Sequence, residues 1–372
     1  MEDNSVNIKK WLLPVSWIYG LGVSLRNKLF DAGILEERSY PMPIISIGNL
    51  TVGGTGKTPH TEYLVKLLSR QWKVAVLSRG YKRKSQGFIL AKPDTPSSMI
   101  GDEPYQMKEK FPDAYIAVDA NRREGIETLM KDSIAPELDV ILLDDAFQHR
   151  YVKPGLNILL VDYHRMISED KLLPAGKLRE HQSGKARANI VIITKCPKEM
   201  NPMEYRILTK QMDLFRYQYL YFTTLNYGNL YPLIKNGKTY PLSSINKDVH
   251  ILLLTGIASP KKLINDLRSY NKHVSPLTFG DHHNFTAADL NLVKERFLNL
   301  PEKKRMIITT EKDASRLEHH PLLDEMLKPY IYILPVEISF LQDQQESFNY
   351  NIINYVRKNQ RNSRFSQTKN AH

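Results

Sequence analysis

The segment Gly48-Asn-Leu-Thr-Val-Gly-Gly-Thr-Gly-Lys-Thr58 constrains this chain more than any other stretch. It follows a β-branched run, Ile44 to Ile47, and precedes a helical run, Thr61 to Ser69. Glycines at 53, 54 and 56 let successive backbone N–H groups turn toward one point at a helix N-terminus. There, hydrogen bonds and the helix dipole both favour a chain of phosphates. The pattern GxxxxGK[ST] is met except at its first position, where Thr51 stands for glycine. The candidate nucleotide-binding residues are Thr51, Val52, Gly53, Gly54, Thr55, Gly56, Lys57 and Thr58. In such a loop the lysine reaches the β- and γ-phosphates of ATP and the hydroxyl after it holds magnesium.

The loop belongs to a longer alternation. Strand-like runs at Ile44 to Ile47, Val74 to Leu77, Tyr115 to Val118, Val140 to Leu143, Asn157 to Val161 and Ile190 to Ile193 are separated by helical stretches. Their near-continuous hydrophobicity predicts burial on both faces, as in a P-loop NTPase-like α/β fold whose parallel sheet carries helices on both sides. Val140-Ile-Leu-Leu-Asp-Asp145 ends one such strand with paired carboxylates. At the C-terminal end of a parallel strand a carboxylate can face the nucleotide crevice and bind magnesium through water. Adjacent strand residues point to opposite faces, so Asp144 is assigned to the metal and Asp145 to support.

Around Tyr219 to Leu242 the pattern changes to alternation with Asn-Gly and two prolines, and a second α/β series follows at Val249 to Leu254, Met306 to Thr310 and Tyr330 to Leu334. The expected organisation is an N-terminal apolar helix over 1–36, a P-loop domain over 37–222 and a linker hairpin with a smaller α/β domain over 223–358. A polar, basic tail over 359–372 is expected to be disordered.

Two further features bear on surroundings. The single cysteine, Cys196, excludes an internal disulfide and any thiolate-pair metal site, which suits a reducing compartment. The formal charge of +12 attracts polyanions in general, but no nucleic-acid-binding motif accompanies it, so no nucleic-acid partner is expected. Trp11 to Leu25 is apolar almost throughout, too short to span a bilayer comfortably, and flanked by Lys9, Lys10, Arg26 and Lys28. That pattern suits a helix lying in the headgroup layer of an anionic membrane surface, the alternative being a buried helix covering the sheet.

Transfer of a phosphoryl group to an alcohol needs a positioned base, and Gly101-Asp-Glu-Pro104 and Gly280-Asp-His-His283 are the candidate loops outside the nucleotide motifs. With these in view, the chain resembles the tetraacyldisaccharide 4'-kinase family of the lipid A pathway. The resemblance runs over roughly residues 10–340 through the P-loop, SRGYKRK (Ser78 to Lys84), GDEP, NRREG (Asn121 to Gly125), DDAFQHR (Asp144 to Arg150), LPAGKLRE (Leu173 to Glu180), DHHNFT (Asp281 to Thr286) and TTEKDA (Thr309 to Ala314). It departs from the family pattern at Lys82 and Ala146, where glycine is common.

The resemblance implies an ATP- and magnesium-dependent kinase acting on the 4'-hydroxyl of a tetraacylated glucosamine disaccharide 1-phosphate, the lipid A precursor. It implies a peripheral or monotopic enzyme at the cytoplasmic face of the inner membrane, with no obligatory protein partner, and a smaller α/β domain joined by a two-stranded linker. By matching motifs, Asp102 is the expected catalytic base and His282 its partner, with His283 as the other possibility; Glu103 is an expected member of the magnesium shell. Tyr81, Arg122, Arg123, Asp145, Gln148, His149, Arg179 and Glu180 complete the expected substrate or phosphate contacts. The competing function is a P-loop NTPase switch or metallochaperone, to which Ile193-Thr-Lys-Cys-Pro197, similar to a base-recognition loop, lends support.

Overall fold

The computed structural model describes residues 8–234, 237–257, 260–281, 283–318 and 320–369. A short 3₁₀ turn leads into α1 (Leu13–Asp31), which tolerates Pro14 because a proline in the first turn removes no intrahelical hydrogen bond. The α/β series opens with β1 (Ile44–Asn49), α2 (Lys57–Leu68), β2 (Val74–Ser78), β3 (Ile89–Leu90), α3 (Ser97–Ile100), α4 (Asp102–Lys110), β4 (Tyr115–Val118) and α5 (Arg122–Leu129). It continues through β5 (Val140–Asp144), β6 (Leu156–Asp162), β7 (Ile190–Thr194), α6 (Pro202–Met212) and β8 (Tyr219–Tyr227). Next come β9 (Tyr231–Pro232), β10 (His250–Thr255), α7 (Pro260–Tyr270), β11 (Val274–Thr278), α8 (Ala287–Leu298), β12 (Arg305–Thr310), α9 (Glu311–Leu317) and β13 (Ile331–Leu334). The chain ends with β14 (Val336–Phe340) and α10 (Gln345–Lys369).

These elements form two units, the first from 1–100, 107–225 and 338–372, the second from 101–106 and 226–337. The first is built on a nine-stranded sheet ordered β14-β8-β7-β6-β1-β5-β2-β4-β3. The strands from β8 to β4 run parallel and β3 is antiparallel to β4. Every residue of β1, β2, β5 and β7 is buried, which explains their unbroken apolar composition. One core cluster joins Leu159, Val161, Val191 and Ile193 to Leu208 and Met212 of α6; another joins Leu77, Ala117 and Leu143 to Ile126 and Leu129 of α5. The strand order builds outward from β1 in both directions, so a crevice opens beyond the C-terminal ends of β1 and β5.

The second unit has a five-stranded sheet, β11-β10-β12-β13-β9, parallel except for β9. Leu252, Leu254 and Ile307 pack with Leu290, Val293 and Phe297 of α8, whose start is fixed by a Thr286–Asp289 capping box.

The C-terminal boundary differs from the sequence expectation. The smaller domain was expected to run to 358, but β14 sits beside β8 in the first sheet, and Phe340 and Phe348 meet the Tyr63 and Tyr221 rings edge-on or tilted. The Tyr355 hydroxyl donates to the Ile44 carbonyl at 3.0 Å. α10 also continues through the stretch expected to be disordered as far as Lys369, with Gln360 tied to the Trp72 indole (2.9 Å) and to Asp139 (2.7 Å). Residues 370–372 lie outside the described ones.

Candidate active site

The loop between β1 and α2 is held from beneath by a set of polar braces. A Cβ on Gly48 would stand 2.7 Å from Phe147 Cβ and 2.8 Å from its backbone nitrogen, so the strand closes on its neighbour only as glycine. Gly56, at φ 83°, caps α2 in the left-handed region, and Gly53 lies at φ 117°. Thr51 needs no such freedom: it forms an antiparallel bridge with Leu178, and the Val52 N–H donates to Lys177 O at 2.8 Å. The LPAGKLRE segment thus supplies a strand-like partner where the common pattern has glycine.

Carbonyls of the loop are taken up from below. Thr194 Oγ1 donates to Thr55 O at 2.9 Å, and Lys195 Nζ donates to Gly54 O and bonds Asp162 at 2.6 Å. Asn49 Nδ2 donates to Thr55 Oγ1 at 2.8 Å. His60 Nδ1 lies 2.7 Å from Gly56 O, and Nε2 lies 3.0 Å from Thr223 Oγ1. Burial pushes the imidazole down to about 4, so the ring is neutral; Nδ1–H donates to the carbonyl and Nε2 accepts from the threonine hydroxyl.

The paired aspartates take different environments. β5 lies beside β1 with Asp144 opposite Ile47. Asp144 is 1% exposed and accepts from Thr61 Oγ1 (3.2 Å) and Ser78 Oγ (3.4 Å). Its burial, reinforced by the charge of Asp145, raises its pKa, while Lys57 and Arg122 pull the other way. Asp145 turns off the strand at φ 48° and meets Lys57 Nζ at 3.6 Å and Arg179 Nη1 at 3.2 Å. Among the described residues no three His, Cys, Asp or Glu side chains converge to cage a metal ion. Thr58 stands one residue into α2, beside Lys57.

The remaining first-unit candidates divide by how committed they are. The Arg122 guanidinium is buried and donates to Asp119 O and Asp144 O (3.2 Å), its pKa lowered to about 10 by desolvation. Glu180 is likewise buried and holds Arg187 (2.5 Å) and Asn27 of α1 (2.9 Å). Arg123 pairs with Glu36 at 2.8 Å. Gln148 Nε2 donates to Asn49 O, and its Oε1 accepts from Arg179 at 3.3 Å. Burial and the surrounding arginines lower His149 to about 4, and its buried Nε2 has no hydrogen-bond partner among the described residues. Tyr81 is 63% exposed with the Lys82 ammonium over its ring, and Lys82 adopts φ 59°, the backbone that a glycine there would provide freely.

In the second unit, Asp102 is the first residue of α4 and Glu103 the next. Asp102 is bound by Arg316 of α9. His282 lies outside the described residues. His283 is engaged: its Nε2 is 2.9 Å from Asp289, and its ring stacks on Phe279 at 4.7 Å. Asp289, fixed first by the Thr286 backbone N–H, then by its hydroxyl and by His283, is lowered to about 2.

Sequence reasoning missed Ser78 and Thr61 as partners of Asp144, although Ser78 opens a matched motif. It also missed Arg316, two residues beyond the last matched motif, and gave Lys195 no tie to the loop.

Comparison with known proteins adds a consistent picture. The family model described as tetraacyldisaccharide-1-P 4'-kinase matches residues 8–356. Tetraacyldisaccharide 4'-kinase of Phocaeicola vulgatus is 67% identical over 366 residues, covering 98% of this chain and 100% of that protein. The protein of the same name from Bacteroides thetaiotaomicron is 55% identical, with 100% of both chains covered. A crystal structure of LpxK from Aquifex aeolicus in complex with ATP superposes with TM-score 0.70 at 28% identity, covering 92% of this chain and 99% of that one.

Proposed function

The chain belongs to the tetraacyldisaccharide-1-phosphate 4'-kinase family, and on that premise we propose how its residues divide the reaction. The protein is an ATP-dependent phosphotransferase of lipid A biosynthesis, acting on the 4'-hydroxyl of the tetraacylated disaccharide 1-phosphate. The observation that carries the assignment of residues is the juxtaposition of the β1–α2 loop with Asp144 and Asp145 at the end of the neighbouring strand.

N–H groups of Gly53 to Thr58 receive the β- and γ-phosphates, and Lys57 exchanges its 3.6 Å contact with Asp145 for phosphate oxygens. Arg179 keeps Asp145 compensated during that exchange. The residues fit magnesium: a buried carboxylate that accepts from two hydroxyls, with its ionised form disfavoured by burial and a neighbouring charge, is the kind of oxygen donor a divalent cation restores. Thr58 and Asp144, the latter through water, would hold it, and when bound it supplies positive charge to the phosphate oxygens. Asp102 accepts the proton of the attacking hydroxyl, and Tyr81 and Arg123 are offered to the sugar and its 1-phosphate.

The exposed apolar side chains on and just before α1 support a seat on an anionic membrane surface, which we assign to the cytoplasmic face of the inner membrane. Trp11, Trp17, Ile18 and Leu21 are 72–78% exposed, and no helix among the described residues is long and apolar enough to cross a membrane.

The decisive experiment incubates the protein in detergent micelles with γ-labelled ATP, magnesium and the tetraacylated disaccharide 1-phosphate, and follows label into the lipid. Lys57→Ala is expected to lower transfer by about 10²-fold or more. Undiminished transfer by that variant would remove the loop from the mechanism.

A further inference from the structure

We propose that Arg316 is the positioning residue for the carboxylate that receives the acceptor's proton, an inference that rests on the reading of Asp102 as that base. Arg316 Nε and Nη2 both donate to Asp102 Oδ2, at 3.0 and 2.5 Å. Its Nη1 reaches the His283 carbonyl at 3.3 Å and Asp313 Oδ1 at 3.5 Å. One guanidinium therefore spans three of the matched motifs, GDEP, DHHNFT and TTEKDA, although Arg316 and Asp102 are 214 positions apart.

The brace is anchored at its far end. Asp313 is fully buried, and its Oδ2 accepts from Thr310 Oγ1 (2.7 Å), the Gly256 N–H (3.0 Å) and Thr255 Oγ1 (3.2 Å). Those partners lie at the C-terminal ends of β10 and β12, so the arginine transmits the position of two core strands to the first residue of α4. The Arg316 side chain is 7% exposed and that of Asp102 is 20% exposed, so the pair is mostly withdrawn from competing water.

The chemistry makes such a brace useful. In a loose phosphoryl-transfer transition state the acceptor hydroxyl surrenders its proton late, so direction matters more than basicity. A cation beside a carboxylate lowers its proton affinity, but convergence of two N–H donors on one oxygen fixes where the group points. A lysine would supply the charge without the planar fork.

The plain alternative is an ion pair that only holds the second unit together. Steady-state kinetics of Arg316→Ala, Arg316→Lys, Asp102→Asn and the Arg316→Ala/Asp102→Asn pair separate the two. Arg316→Ala is expected to lower kcat by about 10²-fold, the lower range of a general base's contribution, with the KM for ATP within about twofold of wild type. Arg316→Lys should fall between, added methylguanidinium should restore part of the Arg316→Ala loss, and the double variant should be no slower than Asp102→Asn alone.

Wild-type kcat in Arg316→Ala, or losses that multiply in the double variant, would overturn the proposal. Should Arg316→Ala not fold, Arg316→Lys carries the test, and unchanged kcat there is equally adverse. If Asp102→Asn itself transfers at the wild-type rate, the assignment of the base fails and the brace with it. If Asp102→Asn is inactive while both arginine variants are fully active, the brace alone fails.

Discussion

His60 illustrates how a buried side chain against the β1–α2 loop acquires a pH signature. Its folded pKa is lowered to about 4 by burial against an ordinary value near 6.5. Between those values the unfolded chain takes up a proton there and the folded chain does not, so stability falls as the pH falls through that window and is unaffected above it. Over the full width the loss is about 3 kcal/mol at 1.36 kcal/mol per pH unit. The urea midpoint of the wild type should therefore drop more steeply from pH 6.5 to 4.5 than that of His60→Gln; parallel curves would show that this ring is not the source. Asp144 carries the opposite sign: burial and Asp145 raise its pKa, so its charged form at neutral pH works against the fold. In metal-free buffer Asp144→Asn should raise Tm, by roughly 2–4 °C if the gain is about 1 kcal/mol. The same change should lower transfer by about 10²-fold or more. A lowered Tm would mean that the carboxylate is structurally needed where it lies.

At the scale of elements, α1 is inverted relative to an ordinary amphipathic helix. Ser16, Gly20 and Phe30 face the protein, with Ser16 Oγ donating to Leu172 O at 3.0 Å, while Trp17, Ile18, Leu21 and Leu25 face outward. The sequence run is apolar almost all round, so periodicity could not tell the inner face from the outer one. Changing Trp17, Ile18 and Leu21 together to serine should weaken sedimentation with phosphatidylglycerol-containing vesicles by at least about tenfold, or ~1.4 kcal/mol. Retained binding would move the membrane contact elsewhere. The parallel strands and the glycine-rich turn between β1 and α2 were legible because buried strands and glycine-rich turns leave local marks in sequence. α10 was not, because its anchoring groups, Tyr355 and Gln360, find partners at Ile44, Trp72 and Asp139 that are remote in sequence. The same separation hid Arg316 from a reading that named Asp102 only as a candidate.

The whole molecule is two compact units on one chain, the second interrupting the first, each with its own hydrophobic clusters. Each unit has its own sheet, so thermal unfolding should depart from two-state behaviour, and ATP with magnesium should shift the transition of the unit bearing the phosphate loop. A single transition whose calorimetric and van't Hoff enthalpies agree would instead show that the units melt as one.

The late return of β14 and α10 to the first sheet also governs how the protein is made. A ribosome delivers β8 long before residue 336, so while the second unit is being synthesised the large sheet waits with β8 as a bare edge, the form of strand most prone to pairing with a stranger. A chain cut short before residue 336 is thus no kinase missing an appendage; it is a sheet that was never finished.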